Sequence, residues 1–309
     1  MSVTEFDPRL VRWCAVELGA VPVESLMAAA RVSRVLGVRL DDGREVVVKS
    51  RPDPAGRAAV CVTVQRRTAA AGFPCPKPLT DAVVRDGVAV HAEEWRPGGE
   101  PLRGTGGDAA TRSARLLAAL VRITAGFALP PPLPNPEWVR YDHTGPGHWP
   151  PNPLHDGRPG ADRLPAALTG VAARARARLA AAADLPRVLG HADWEAQNLR
   201  WTGGLPHTVH DWDSMAWLPE AAVAGTASGA FASAEVPSLA PVESSEVFLA
   251  AYERERGRAF GADEREVAWA ASLWPALHNA RAEILWKHPA VALTEVLAQG
   301  GERLARAGA

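Results

Sequence analysis

The segment covering residues 188–217 concentrates side chains that could carry out chemistry. Those capable of acid–base or metal-binding chemistry are His191, Asp193, Asn198, Asp211 and Asp213. A carboxylate beside a hydroxyl group can orient it and accept its proton, while an amide oxygen and a second carboxylate are hard ligands that suit Mg2+. Phosphoryl transfer needs this combination of positioning and charge neutralisation more than covalent help. The set therefore suits phosphoryl transfer.

The same segment is also rich in histidine, which allows a different chemistry. His191, His207 and His210 lie near the two aspartates in sequence, and imidazole and carboxylate ligands together can form an open zinc site. A zinc hydrolase is the interpretation this would support. The chain has no H-E-x-x-H pair to fix such a geometry, and an isolated H-x-D also occurs in ordinary buried polar clusters.

Short strands must position these side chains. Residues 188–190 form a short apolar run, and residues 199–202 and 208–210 read as the two strands of a hairpin whose turn is Gly203-Gly204. Asp193 and Asn198 precede the first strand of this hairpin, and Asp211 follows the second. We therefore expect all three side chains to gather at one end of it.

The N-terminal part of the chain has the pattern of a small sheet with one helix. Apolar, β-branched runs at 32–40 and 45–50 flank a turn at 41–44, and residues 82–90 suggest another strand pair split by Asp86-Gly87. Between them, residues 56–71 lack an internal Pro or Gly and end at Gly72, which predicts a helix.

Helical patterns dominate after a Pro- and Gly-rich break at 96–99. The predicted helices cover residues 108–124, 164–182, 244–256, 263–282 and 291–307. Residues 129–165 are crowded with Pro and Gly and form either a substrate lid or a rigid surface excursion. The chain is thus predicted to be an α+β protein with a β-rich lobe at 1–96 and a larger, mainly helical lobe at 97–309.

Composition narrows the classes of partner. A net charge of -1 and few Phe and Tyr residues argue against a basic, aromatic surface, so we expect no nucleic-acid partner. Three cysteines without C-x-x-C spacing favour a reducing, cytoplasmic environment. Charged residues interrupt positions 1–20 and no long apolar run follows, so we expect neither a signal segment nor a membrane partner.

The run H-x-D-x-x-x-x-N, followed thirteen residues later by D-W-D, resembles the catalytic loop and metal-binding motif of aminoglycoside phosphotransferases and related antibiotic and metabolite kinases. The resemblance continues upstream. Residues 46–49 look like the third strand with its phosphate-binding lysine, 71–76 like the turn after the first helix, and 93–98 like the linker that holds adenine.

The resemblance implies a bilobal protein-kinase-like fold that moves the terminal phosphoryl group of ATP or GTP, with Mg2+, onto a hydroxyl of a small molecule. Asp193 would be the catalytic aspartate, with His191 buttressing its loop. Asn198 and Asp211 would bind Mg2+, and Lys49 would bind the non-transferred phosphates. The implied acceptor is an aminoglycoside or other antibiotic, an amino sugar or a related metabolite, and the enzyme would be a monomer or homodimer.

The resemblance implies further contacts. The backbone of Glu93, Glu94 and Trp95 would hold the adenine, and Ser33 would contact a phosphate. Trp194 and Glu195 would lie near the acceptor, because an aromatic face can carry a sugar ring or a cation. Asp213 would support the acceptor or a second metal ion.

One departure from the family pattern stands out. Such kinases pair the strand lysine with a Glu on the following helix, yet no acidic residue occurs between Asp53 and Asp81. Gln65 could hold Lys49 by a neutral hydrogen bond. The missing acid also motivates an alternative, a catalytically weak or silent pseudokinase that binds nucleotide or another ligand.

Overall fold

The computed structural model describes residues 6–30, 33–127, 133, 135–233 and 238–309. The chain divides into two compact units, Met1–Gly99 with His207–Asp213, and Glu100–Pro206 with Ser214–Ala309. The predicted α+β class is confirmed. The lobe boundary expected after Arg96 stays a prediction, and these units differ from it by placing His207–Asp213 with the β-rich part.

An antiparallel sheet of five strands forms the first unit, in the order β1-β2-β3-β5-β4. Its elements are α1 (Pro8–Glu17), β1 (Pro22–Ala30), β2 (Arg34–Leu40), β3 (Glu45–Pro52), α2 (Ala58–Ala70), β4 (Val83–Arg85) and β5 (Val88–Glu94). The β2–β3 hairpin, the helix ending before Gly72 and the β4–β5 pair confirm the sequence prediction. The central strand β3 carries Lys49 opposite Val35 on one side and His91 on the other.

One face of this sheet packs against α1. Cys14 of α1 joins Val38, Val46, Val48 and Ala92 of the sheet in a buried apolar cluster, because β-strand side chains alternate between faces and these strands point their apolar set toward the helix. The opposite alternation of β3 leaves Lys49 on the other face, away from this cluster.

Strand β1 was not predicted from the sequence. It covers Pro22–Ala30 and ends just before residues 31–32, which lie outside the described residues. The Ala-rich sequence has no β-branched alternation that would mark a strand. Pairing with β2, from Ala30↔Arg34 to Pro22↔Leu40, fixes its conformation instead.

The second unit is mainly helical. Its elements are β6 (Glu100–Pro101), α3 (Gly107–Thr124), α4 (Pro153–Asp156), α5 (Ala166–Ala180), β7 (Arg187–His191), β8 (Leu199–Thr202), the start of β9 (Leu205–Val209), β10 (Met215–Pro219), α6 (Glu220–Ala230), α7 (Val242–Arg256), α8 (Ala262–Trp286) and α9 (Ala292–Arg306). The five long helices expected from the pattern are present. The lid interpretation of 129–165 stays a prediction, and its residues 129–132 and 134 lie outside the described part.

Helix α6 was not predicted, because it is buried on every side and so lacks a polar stripe. It packs against α8 at two glycines. A Cβ at Gly225 would lie 2.1 Å from the carbonyl oxygen of Ala268, and one at Gly229 would lie 2.0 Å from that of Ser272. Only glycine permits this approach of two backbones, so the two residues that lower helix propensity are the ones that hold α6 in place.

Within the described residues, no helix combines the length and apolar character that crossing a membrane requires.

Candidate active site

The first part of the candidate site is the loop between β7 and β8, in the second unit. Strand β7 pairs with β10, with His191 opposite Met215, and packs against α6. A Cβ at Gly190 would lie 2.3 Å from Cγ1 of Val223, so glycine is what lets β7 lie this close to the helix. Strand β7 is therefore held in place, and the loop begins at its fixed end.

His191 is fully buried and shapes the backbone after it. Its Nδ1 accepts a hydrogen bond from the backbone N–H of Asp193 at 3.3 Å, and its ring meets Trp194 edge-on at 5.6 Å. The backbone N–H of Ala192 donates to the carbonyl of Ser214 at 2.8 Å. These contacts are what a buttressing role for His191 requires.

Asn198 holds the carboxylate of Asp193. Its Nδ2 donates to Oδ2 of Asp193 at 2.8 Å and to the backbone oxygen of Asp193 at 3.0 Å. Both side chains are partly exposed. Because the amide nitrogen of Asn198 is committed to Asp193, its Oδ1 is the atom that can face a cation.

Trp194 does not fit the acceptor contact predicted for it. Its indole is fully buried, and Nε1 donates to the carbonyl of Ser113 in α3 at 3.1 Å. A ring without an exposed face cannot carry a sugar, so Trp194 fastens the loop to α3 instead. Glu195 is also buried, at 7% exposed, and its Oε2 accepts from Nε2 of Gln197 at 2.5 Å.

The second part of the candidate site lies in the first unit, around Lys49. This side chain is 7% exposed, and its Nζ lies 2.8 Å from Oε1 of Glu93 in β5. Burial would lower the pKa of Lys49, but the negative charges of Glu93, Asp213 and Asp211 outweigh it and raise the pKa above its usual value. Lys49 therefore stays a cation.

Glu93 supplies the acid that the helix lacks. Its Oε2 accepts from Nε2 of Gln65 in α2 at 2.8 Å, and the same nitrogen lies 2.8 Å from the carbonyl of Pro76. The expected bond from Gln65 to Lys49 is thus replaced by a bond to the acid that pairs with Lys49. The adenine contact predicted for the backbone of Glu93 stays a prediction.

Asp213 forms a second buried ion pair on the same side of the sheet. Its Oδ2 lies 2.9 Å from Nη1 of Arg51 and 3.5 Å from Oγ of Ser33. Burial would raise the pKa of Asp213, but the charges of Lys49 and Arg51 lower it below its usual value. Arg51 was not identified from the sequence, although the period of two along β3 puts it on the face of Lys49.

Asp211 adopts a backbone conformation that non-glycine residues rarely take, with φ at 59°. Such residues occur where surrounding structure holds them, often at functional sites. Its partly exposed carboxylate contributes to the field that raises the pKa of Lys49. Asp211, Asp213, Ser33 and Lys49 are therefore brought together in the first unit.

The predicted adenine linker is shaped by its side chains. Oε2 of Glu94 accepts from the backbone N–H of Lys77 at 3.1 Å. A Cβ at Gly37 would lie 2.7 Å from Cζ3 of Trp95, so the glycine leaves room for the indole over β2. These contacts fix the backbone of residues 94 and 95.

The donor atoms present suit Mg2+ rather than zinc. Across the described residues, no group of three or more His, Cys, Asp or Glu side chains is placed to hold a metal ion, which leaves the zinc interpretation without support. The amide oxygen of Asn198 and the carboxylate of Asp211 are hard oxygen donors. Mg2+ commonly takes one or two protein ligands and completes its shell with water and substrate phosphates, so each of these two side chains, one in each unit, offers a type of donor that Mg2+ accepts.

The sequence matches a known family over most of its length. Residues 32–269 match the model of the phosphotransferase enzyme family, APH. No curated protein sequence matches the chain.

Solved structures share the fold at low sequence identity. Amicoumacin kinase hAmiN in complex with AMP-PNP, Ca2+ and Ami has a TM-score of 0.65 at 14% identity, covering 97% of this chain and 92% of its own. A thermostable mutant of aminoglycoside phosphotransferase APH(4)-Ia with ADP and hygromycin B has a TM-score of 0.56 at 16% identity, covering 97% and 99%. Macrolide 2'-phosphotransferase MphH from Brachybacterium faecium has a TM-score of 0.53 at 18% identity, covering 94% and 97%.

Proposed function

Because the chain belongs to the phosphotransferase enzyme family and is a small-molecule kinase, we propose that it transfers the terminal phosphoryl group of ATP or GTP to a hydroxyl group of a small polar acceptor. The observation that carries this proposal is the Asp193–Asn198 pair, in which the amide fixes the carboxylate at 2.8 Å. The nucleotide would bind the lobe at 1–96, and the lobe at 97–309 would supply the catalytic loop.

Asp193 acts on the acceptor. Its carboxylate accepts a hydrogen bond from the attacking hydroxyl, orients the oxygen toward the phosphorus and takes the proton as the bond forms. Asn198 and His191 keep the carboxylate and its backbone in one orientation, so little reorganisation is needed when the acceptor binds. Partial exposure of Asp193 leaves it reachable.

Lys49 and a Mg2+ ion would neutralise the charge on the phosphates. Lys49 anchors the non-transferred phosphates, and Ser33 is placed beside the same charged cluster through its bond to Asp213. Asn198 and Asp211 are the residues that would hold Mg2+, which when bound neutralises phosphate charge.

The acceptor class follows from proteins of similar fold. The proteins of similar fold include an amicoumacin kinase, an aminoglycoside phosphotransferase in complex with hygromycin B and a macrolide 2'-phosphotransferase. We propose an acceptor from the same broad group, which comprises antibiotics, amino sugars and related metabolites. A polycationic aminoglycoside would favour a dense cluster of carboxylates, and the late helices lack a dense acidic run in sequence.

The pseudokinase alternative rests on a lysine without an acidic partner. The Lys49–Glu93 pair removes that reason, since an acid reaches the lysine from β5. Phosphotransfer is therefore the function that the geometry supports better.

A mass-spectrometric acceptor screen tests the proposal. The protein is incubated with Mg2+, ATP or GTP, and pooled aminoglycosides, other antibiotics, amino sugars and amino alcohols. A mass gain of one phosphate on a pool member identifies the acceptor and the donor. Tight Mg-nucleotide binding with no mass gain on any acceptor would favour the silent alternative.

A further inference from the structure

We infer that Glu93, clamped by Gln65, is the positioning residue that holds Lys49 ready for the nucleotide phosphates. The acid is carried by the sheet and not by helix α2. This inference rests on the proposed function, because it takes Lys49 as the phosphate ligand.

The two oxygens of Glu93 are divided between two partners. Oε1 pairs with Nζ of Lys49 at 2.8 Å, and Oε2 accepts from Gln65 at 2.8 Å. Glu93 is 2% exposed and Gln65 is 1% exposed, so water does not compete for either oxygen. A buried carboxylate with both oxygens engaged has a defined orientation, which it imposes on the lysine.

Strand register explains how β5 can supply this acid. In the β3–β5 ladder Lys49 lies opposite His91, and Glu93 lies opposite Val47. Lys49 and Glu93 are therefore diagonal neighbours on one face of the sheet, a separation that long side chains bridge.

A second cation keeps the competing carboxylate away from Lys49. Asp213 pairs with Arg51 at 2.9 Å, so each of the two acids has its own cation. Lys49 is attracted by Asp213 through space but is bonded to Glu93. Its ammonium group thereby keeps capacity for a phosphate oxygen, since it carries three donors.

Because Glu93 lies on a strand and not on a helix, a shift of the helix does not carry the acid away from Lys49. A glutamate on a helix would leave Lys49 whenever the helix shifted, which is how helix position controls protein kinases. Glu93 is fixed by the backbone hydrogen bonds of β5, and α2 contributes only the neutral amide of Gln65. The carboxylate that pairs with Lys49 therefore stays on the sheet when α2 shifts, and α2 acts on it only through the hydrogen bond from Gln65.

Measurement of Mg-nucleotide affinity and steady-state kinetics in four variants tests this. Lys49→Met should weaken nucleotide binding clearly while leaving the affinity measurable. Glu93→Gln should lower kcat/KM for the nucleotide by roughly 10- to 100-fold, because the ammonium loses its fixed position. Glu93→Gln should have no further effect on nucleotide affinity in a Lys49→Met background, since it acts through the lysine.

Glu45→Gln is the matched control. Glu45 is an exposed glutamate of β3 that pairs with Arg39 at 2.8 Å, and its replacement should leave the kinetics unchanged.

A double variant that moves the carboxylate from β5 to α2 gives the most specific test. The double variant Gln65→Glu with Glu93→Gln moves the carboxylate to α2 and keeps the number of buried charges, so it stays testable even if Glu93→Gln alone does not fold. Nucleotide kcat/KM should recover well above that of Glu93→Gln. No recovery, together with an undiminished effect of Glu93→Gln in the Lys49→Met background, would overturn the positioning role.

Failure of the inference and failure of the proposed function give different results. Full phosphotransfer by Lys49→Met would remove Lys49 from the phosphate site and so contradict the proposed mechanism. Loss of activity in Lys49→Met with unchanged kinetics in folded Glu93→Gln would contradict the positioning role alone.

Discussion

The two parts of the candidate site are built in opposite ways. The contacts that position Asp193 are local, since His191 accepts from a backbone two positions away and Asn198 donates to a residue five positions away. The cluster around Lys49 is assembled from distant segments. Gln65 and Glu93 are 28 residues apart, and Ser33 and Asp213 are 180 apart.

Burial follows the same division. Asp193 and Asn198 are partly exposed, whereas Lys49, Glu93 and Asp213 are 7%, 2% and 6% exposed. An exposed carboxylate can be replaced at small cost in stability, while an ion left unpaired in the interior costs several kcal/mol. We therefore expect changes in the loop to affect turnover, and changes in the cluster to affect folding as well.

The largest effect is expected for Asp193→Asn, which keeps the shape of the side chain and removes its ability to accept a proton. The turnover number should fall by about 10²- to 10⁴-fold, while the melting temperature changes little. Initial-rate kinetics and thermal unfolding measure both. Asp184→Asn, at an exposed aspartate shortly before β7, is the control and should behave as wild type. A large loss of stability in Asp193→Asn would contradict the contrast between the two regions.

Next in size is Arg51→Met, which leaves Asp213 without its bonded cation. We expect a loss of roughly 3 kcal/mol in the free energy of unfolding, at the low end for breaking a buried ion pair because Lys49 still acts on Asp213. Denaturant titration measures this. Arg265→Met breaks the 3.4 Å pair of Arg265 with Glu253, in which the arginine side chain is 59% exposed, and should cost at most about 1 kcal/mol. Equal costs for the two variants would show that burial does not distinguish these pairs.

A smaller effect is expected for Gly190→Ala, which tests the base of the loop. The new methyl group would meet Val223, and overpacking of this kind costs about 1–3 kcal/mol. The melting temperature should fall, and adding Val223→Ala should restore much of it. Gly301→Ala in α9 meets nothing within 4 Å and should be neutral or stabilising.

The smallest effect is a pH dependence of stability from His91. Burial and the charge of Lys49 lower the pKa of His91 below its usual 6.5, with Glu93, Asp213 and Arg51 also acting on it. The unfolded chain then binds a proton more readily than the folded protein, so stability falls as pH drops below about 6.5. We expect His91→Gln to lose less stability than wild type between about pH 7.5 and about pH 5.5.

Several other histidines also have a lowered pKa and contribute to the pH dependence of stability. The informative quantity is therefore the difference in stability between His91→Gln and wild type. Burial also lowers the pKa of His143, His148, His155 and His278 in the second unit. His288→Gln, at an exposed histidine, serves as the control for the substitution itself. A His91→Gln curve parallel to wild type would contradict the prediction.

Local pattern explains which parts of the fold were predictable. The β2–β3 hairpin and helix α2 follow from alternation, turn residues and a Gly at the helix end, all within a few residues. Strand β1 and helix α6 could not be predicted in this way. The first gains its conformation from pairing with β2, and the second is buried on every side because α3, α7, α8 and β7 all pack against it.

In the candidate site, too, local contacts were predictable from the sequence and contacts between distant segments were not. Asp193 and Asn198 were expected at one end of the hairpin, and they lie within hydrogen-bond distance because both residues belong to one loop. The Lys49–Glu93 bond depends on the register between β3 and β5, which no local spacing specifies. The acceptor contact expected for Trp194 does not fit the structure, because the loop turns its ring into the core, a direction that the residue type alone does not specify.

The contact of α6 with α8 at Gly225 and Gly229 also limits how this enzyme can be diversified. Backbone meets backbone there, so no choice of larger side chain can be accommodated by repacking neighbours. In a saturation library, these two positions should tolerate glycine alone, while exposed helix positions accept most residues. A programme of directed evolution toward new acceptors should therefore leave α6 untouched and place its diversity elsewhere in the chain.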